Sequence, residues 1–206
     1  ANYTVDTKGP TATISMSDTA LKSGDTALVT VTFSEAVTTF DNTDLTIASG
    51  SGTLGTVTSS DGGKTWTATF TPTTNLEDAT NVITLGTAYT DVAGNAGSTA
   101  TTVNYAVDTK GPTATISMSD TALKVGETSS VTITFSEAVT GFDNTDLTIA
   151  SGTLGTVTSS DGGITWTATF TPTTNLEDAT NVITLANTYT DVAGNTGGTA
   201  TTANYT

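Results

Sequence analysis

Short runs in which apolar residues alternate with Thr or Ser recur along the chain, separated by clusters of Gly, Asp, Asn and Pro. A side-chain period of two marks a strand with one buried face. Between residues 6 and 107 the alternation predicts seven strands, at 12–16, 28–33, 44–48, 54–58, 65–71, 81–85 and 99–105. It also assigns their faces. Val29, Val31, Phe33, Leu45, Ile47, Trp66, Ala68, Phe70, Ile83 and Leu85 are expected inside. Thr30, Thr32, Thr65, Thr67, Thr69 and Thr71 then coat the outside with β-branched side chains that suit a pleated surface. Ser60-Asp61-Gly62-Gly63 reads as a hairpin turn, because glycine supplies the positive φ such turns need.

The whole pattern is written twice. Val5-Asp6-Thr7-Lys8-Gly9-Pro10-Thr11 returns as Val107-Asp108-Thr109-Lys110-Gly111-Pro112-Thr113. The shift is 102 residues from Asp6/Asp108 to Ile47/Ile149 and 100 from Thr53/Thr153 to Tyr105/Tyr205, so Ser51-Gly52 reads as a loop insertion without a counterpart. The inward positions recur as Val131, Ile133, Phe135, Trp166, Ala168 and Phe170. Two domains are expected, 6–107 and 108–206, with 1–5 as the tail of a preceding repeat. Ala-Asn-Tyr-Thr at both ends reads as one phase of a longer tandem array. A domain of about 100 residues is a common size that can enclose a two-layer core. Sparse Leu and missing Ala-Glu-Lys-Leu stretches argue against helices. The expected fold is all-β: two tandem immunoglobulin-like sandwiches, each of seven antiparallel strands. Antibody domains carry a Cys pair that this chain lacks, so the likeness is one of architecture.

Charge narrows the chemistry. The 20 Asp and Glu against five lysines, with no His, give a net charge of -15. Nucleic acid and anionic membrane surfaces would be repelled. No stretch is apolar for long enough to insert directly into a bilayer. The partners expected instead are neighbouring repeats of the same chain, in a monomer. Zero cysteines exclude disulfides and thiol chemistry, and zero histidines remove most remaining transition-metal sites. Hard, oxygen-seeking cations remain.

If consecutive strands run up and down, the loops after the second, fourth and sixth strands share the end where the first strand begins. Asp6, Glu35, Asp91 and Asn95 should converge there. Glu77 and Asp78 follow the fifth strand and should lie at the opposite end, near Asn104. At a junction of repeats they are expected to face Asp108, Glu137, Asp191 and Asn195. Crowded carboxylates repel and raise one another's pKa unless a cation joins them. Ca²⁺ takes about six to eight oxygens from carboxylates, amides, carbonyls and water, whereas Mg²⁺ prefers a strict octahedron that keeps several waters. The plainer reading makes Asp6 and Asp91 Asx-turn residues, Gly94 a loop residue and Glu35 a solvated charge. Asp41 and Asp44 read either as a second chelating pair or as a turn or strand cap.

The motifs Val-Asp-Thr-x-x-Pro, Phe-Ser-Glu-Ala-Val, Phe-Asp-Asn-Thr-Asp-Leu-Thr, Asp-Gly-Gly-x-Thr-Trp-Thr-Ala-Thr-Phe-Thr-Pro and Asp-Val-Ala-Gly-Asn follow in that order in both copies. With them the chain resembles the bacterial Ig-like repeats in the extender regions of large RTX and biofilm surface adhesins. That resemblance implies an extracellular place at the bacterial cell surface, on an outer-membrane-anchored parent protein. It also implies a spacer that holds an adhesive tip away from the membrane, with Ca²⁺ at the domain junctions stiffening the rod. Asp6/Asp108, Glu35/Glu137, Asp91/Asp191 and Asn95/Asn195 match the chelating positions of such repeats. Lys8 and Lys110 offer an ammonium for the same place, which leaves the ion count open. A rival reading is a carbohydrate- or protein-binding module that uses Trp66 or Tyr89 as a stacking platform. An enzyme is the weakest, since without His or Cys it needs a carboxylate pair in a cleft.

Overall fold

A computed structural model describes residues 3–206; residues 1 and 2, the first of the five assigned to a preceding repeat, lie outside the described residues. The chain forms two compact units, Ala1–Lys110 and Gly111–Thr206, and no described residue is in an α-helix.

The first unit comprises β1 (Ala12–Met16), β2 (Ala20–Leu21), β3 (Ala27–Phe33), β4 (Leu45–Ile47), β5 (Gly52–Leu54), β6 (Thr58–Ser59), β7 (Thr65–Pro72), β8 (Glu77–Asn81), β9 (Ile83–Leu85), β10 (Ala100–Thr101) and β11 (Tyr105–Asp108). One sheet has the order β1-β3-β7-β5, with β6 also on β7, and another has the order β10-β9-β4. That is the strand arrangement of an immunoglobulin-like sandwich. The predicted alternation is what fills its interior. Val29, Val31, Phe33, Phe70, Ile83 and Leu85 are buried, and Leu45, Ile47 and Trp66 pack against them half-buried. Phe33 lies 4.8 Å from Tyr89 and 5.2 Å from Phe40, with Phe40 a further 5.3 Å from Trp66, in tilted or edge-on geometry. Such pairs add to the gain from burial alone. Tyr89 is 0% exposed and donates its hydroxyl to the Ser98 carbonyl at 2.7 Å. It is a core side chain and offers no stacking platform.

The second unit repeats the plan with β12 (Ala114–Met118), β13 (Ser129–Phe135), β14 (Val139–Thr140), β15 (Leu147–Ile149), β16 (Gly152–Leu154), β17 (Thr158–Ser159), β18 (Thr165–Pro172), β19 (Ile183–Leu185), β20 (Thr190–Asp191) and β21 (Ala200–Thr201). Its sheets are β12-β13-β18-β16 with β17 on β18, β15-β19-β21, and the pair β14-β20. Phe135, Phe142, Tyr189 and Trp166 rebuild the aromatic cluster, with Phe135 at 4.9 Å from Tyr189.

Several local readings change, and the strand expected at 99–105 is divided between β10 and β11. The strand expected at 54–58 is broken, because the Asn42 amide takes the Gly55 carbonyl at 2.8 Å and the Val57 N–H at 2.9 Å out of the ladder. Residues 77–80, read as a loop, join Asn81 in β8 with β11 as partner, and the strand expected at 81–85 is divided between β8 and β9. Not every pair is antiparallel: β2 lies parallel to β11 through Ala20/Ala106 and Leu21/Val107. The insertion also moves. Gly52 and Gly152 hold the same ladder place opposite Pro72 and Pro172, and the carbonyls of Ser51 and Ser151 accept from Thr73 and Thr173 at 3.0 Å. The extra residues are therefore Ser49-Gly50, in a turn where Gly50 has φ +83°.

The turn before β7 is organised by Asp61. Its Oδ1 accepts from the Thr65 N–H at 2.8 Å, the Ser59 hydroxyl at 2.9 Å and the Lys64 N–H at 3.1 Å. These bonds, the one from the Thr65 backbone foremost, lower its pKa to about 2, and Asp161 is lowered to about 2 in the same way. A depressed folded-state pKa gives stability that is present above the ordinary Asp value near 4 and lost as pH falls through about 2. Thermal melts from neutral pH into acid should therefore lose less between these limits in the Asp61→Asn/Asp161→Asn variant, which starts lower at neutral pH. Parallel acid limbs would remove these turns from the pH dependence.

Candidate metal centre

Three segments build the site at one end of the first unit. The turn after β3 is fixed by Ser34, whose N–H donates to the Thr11 carbonyl at 2.8 Å and whose hydroxyl accepts from the Thr11 N–H at 3.0 Å. Val37 then donates to the Gly63 carbonyl at 3.0 Å and forms a β-bridge with Asp91. Gly63 has φ +96°, and a Cβ there would sit 2.5 Å from the Val37 carbonyl oxygen, so only glycine lets the two turns meet. This bridge sets Glu35 beside the loop that follows β9.

That loop, Asp91-Val92-Ala93-Gly94-Asn95, closes on itself. The Asp91 N–H donates to the Asn95 carbonyl and the Gly94 N–H to the Asp91 carbonyl, both at 3.2 Å. The Asp91 carboxylate accepts from the Asn95 N–H at 2.9 Å and from its side-chain Nδ2 at 2.8 Å. The Asn95 amide chiefly, helped by nearby backbone N–H groups, holds Asp91 below the usual carboxylate range against the opposing effect of burial. Asp91 is 2% exposed and stays ionised at neutral pH.

The third segment is the stretch before β1. The Asn95 Nδ2 also reaches the Asp6 carbonyl at 3.3 Å, and Ser98 donates to the Pro10 carbonyl at 3.1 Å. The Asp6 carboxylate accepts from the Lys8 N–H at 3.2 Å, as in an Asx turn.

Asp6, Glu35 and Asp91 thus each offer a carboxylate oxygen, all within 4.8 Å of one another. The second repeat carries the same set: oxygens of Asp108, Glu137 and Asp191 also lie within 4.8 Å of one another. Asp191 is 1% exposed and accepts from Asn195 through both its N–H and its amide at 2.8 Å, with Val139 paired to it. Calcium binds oxygens at about 2.3–2.6 Å, so oxygens on one calcium sphere stand at most about 5 Å apart. Three carboxylates on that scale, donating only oxygen, fit a hard divalent cation better than a soft one.

The other predicted ligands lie outside both triads. Glu77 takes the Lys110 ammonium at 2.7 Å, which is therefore engaged at β8. Asp78 accepts from the Thr80 N–H at 3.1 Å. Asn104 ties the edge of the sheet, accepting from the Asn81 N–H at 3.0 Å and donating to the Ala79 carbonyl at 2.9 Å. Asn95 acts through Asp91, its Nδ2 turned to that carboxylate. Asp41 and Asp44 form a capping box around the short 3-10 turn Asn42–Asp44, with Thr43 holding Asp41 below the usual carboxylate range. They cap a turn; the chelating alternative finds no third carboxylate among the described residues.

The bacterial Ig-like domain profile matches residues 6–107 and again 108–206. The chain belongs to the bacterial Ig-like domain family. No curated protein matches it. Among solved structures, the I9–I11 tandem of titin aligns with 93% of this chain at 11% identity and a TM-score of 0.31. The chain spans 65% of the length of that titin chain. These repeats are tandem modules of an all-β sandwich. No helix among the described residues is long and apolar enough to cross a membrane.

Proposed function

We propose that this pair of bacterial Ig-like domains is an extender segment of a bacterial surface adhesin, without chemistry of its own, rigidified by Ca²⁺ where repeats join. The observation that supports the reading is the recurrence of one carboxylate triad per repeat, Asp6/Glu35/Asp91 and Asp108/Glu137/Asp191, each built from the residues just before a repeat's first strand and two of its loops. A family of tandem modules often found outside the cell agrees with a spacer at the cell surface. In each triad the carboxylates would bind the ion, and the Asn95 or Asn195 amide would hold the central Asp in place. A bound cation would offset the mutual repulsion of the three charges. The stretch before a repeat's first strand is the part of the chain that leads in from its predecessor. Fastening it to two loops of the repeat would remove hinge freedom, and stiffness is the expected product.

Small-angle scattering tests this directly. In Ca²⁺ the chain should give a narrow distribution of intramolecular distances, and in excess EGTA a broader one with a smaller mean extension. Superposable curves would contradict the calcium-stiffened spacer.

A further inference from the structure

Tension along a chain of tandem repeats reaches each repeat through the strand by which the chain leaves it. In the first unit that strand is β11, and it is held on both edges. β2 lies parallel to it through Ala20/Ala106 and Leu21/Val107, and the Ala106 N–H donates to the Thr19 carbonyl at 2.8 Å. β8 lies antiparallel on the other edge through Asn81/Tyr105, Asp78/Val107 and Glu77/Asp108. Leu21 and Val107 are each 1% exposed.

Past the last ladder pair the chain is fastened once more. Thr109 is buried and donates its N–H to the Leu76 carbonyl at 2.8 Å. Its hydroxyl accepts from the Leu76 N–H at 3.0 Å and donates to the Thr73 carbonyl at 2.7 Å. Lys110 follows with its ammonium 2.7 Å from Glu77. The repeat pattern counts Asp108, Thr109 and Lys110 with the second domain, yet all three belong to the first compact unit. The opening residues of one repeat thus complete the fold of the repeat before it.

The chain comes into β2 from its N-terminal side and leaves β11 at its C-terminal end. A pull on the chain therefore draws these two parallel strands in opposite directions along their length. Bonds that lie across such a pull are loaded together and cannot open one at a time. β11 would have to slide past β8 as well. We propose that Val107–Lys110 is a shear clamp that bears tension in the first repeat, with Thr109 as its lock. Thr109 stands nearest the loaded end, so its three bonds meet the force before the ladder does. The Lys110–Glu77 pair is half-exposed and adds little. The tension itself comes from the extender reading, on which the proposal rests, but the clamp needs no ion.

The chain has no cysteine, so Thr11→Cys and Thr113→Cys, both at exposed positions, give optical tweezers two handles that flank β1 to β11. Opening is timed at constant force in excess EGTA, where forced unfolding follows the unfolding rate. Thr109→Val keeps the shape and the N–H but leaves the Leu76 N–H and the Thr73 carbonyl without their partner, and it should open about tenfold faster or more. Ile83→Val also weakens the core, at a 0% exposed position on β9 in a different sheet. Its contacts are still intact when the clamp gives way, so its opening rate should stay within about twofold of the parent's. An unchanged rate in Thr109→Val, or an equal acceleration in Ile83→Val, would overturn the proposal. Measured without calcium, the clamp stands or falls apart from the scattering test of the calcium-stiffened spacer.

Discussion

Phe33→Ala is expected to destabilise the first domain by about 3–5 kcal/mol and to leave the second domain's melting transition where it was. Phe33 is 1% exposed at the centre of the sandwich, in ring contact with Phe40 and Tyr89. Removing it deletes apolar burial and leaves a cavity that rigid strands on both sides cannot close. The two hydrophobic cores share no residue, so each domain carries its own cooperative unit. Against a typical total of about 5–15 kcal/mol, the loss is a large fraction of one domain's stability. Calorimetry should show two separate transitions, with Phe135→Ala giving the mirror image. One shared transition, shifted as a whole, would contradict independent cores.

Calcium removal is the second large effect expected. An ion held at about 100 times its dissociation constant stabilises the folded state by about 2.7 kcal/mol. In a domain of this size that is on the order of ten degrees of melting temperature. Millimolar Ca²⁺ against excess EGTA should separate the melts by this amount. Glu35→Gln with Glu137→Gln gives the sharper comparison, because it removes one charge from each triad and keeps the Asp91 and Asp191 loop bonds. In EGTA that variant should melt at or above the wild-type temperature, relieved of one repelling charge. Added Ca²⁺ should move it much less. A full calcium shift in the variant would take both Glu residues out of the site.

Much of this architecture was legible because burial writes itself into alternation. Val29, Val31 and Phe33 could only be an inward face, and β1 has the bounds the pattern gave. The triads were legible from strand order alone, since strands that run up and down must bring alternate loops to one end. Other features left no such mark. Glu77-Asp78-Ala79-Thr80-Asn81 has no alternation and a single β-forming residue, Thr80, and in the first unit it pairs as a strand with β11. In Ser49-Gly50-Ser51-Gly52 the sequence repeats itself, so no alignment could say which pair was inserted; the bond from Thr73 to Ser51 decides. The roles of Asn42 and Asn95 were hidden for a related reason. Each acts by hydrogen-bonding a particular loop, and a polar residue in a turn carries no sign of where its amide will point.

Calcium binding at the triads is tested by calorimetric titration of the chelator-stripped chain. Saturable binding, lost when Glu35→Gln and Glu137→Gln are combined, is the predicted result. The absence of saturable heat at millimolar Ca²⁺, or binding undiminished in the double variant, would contradict it.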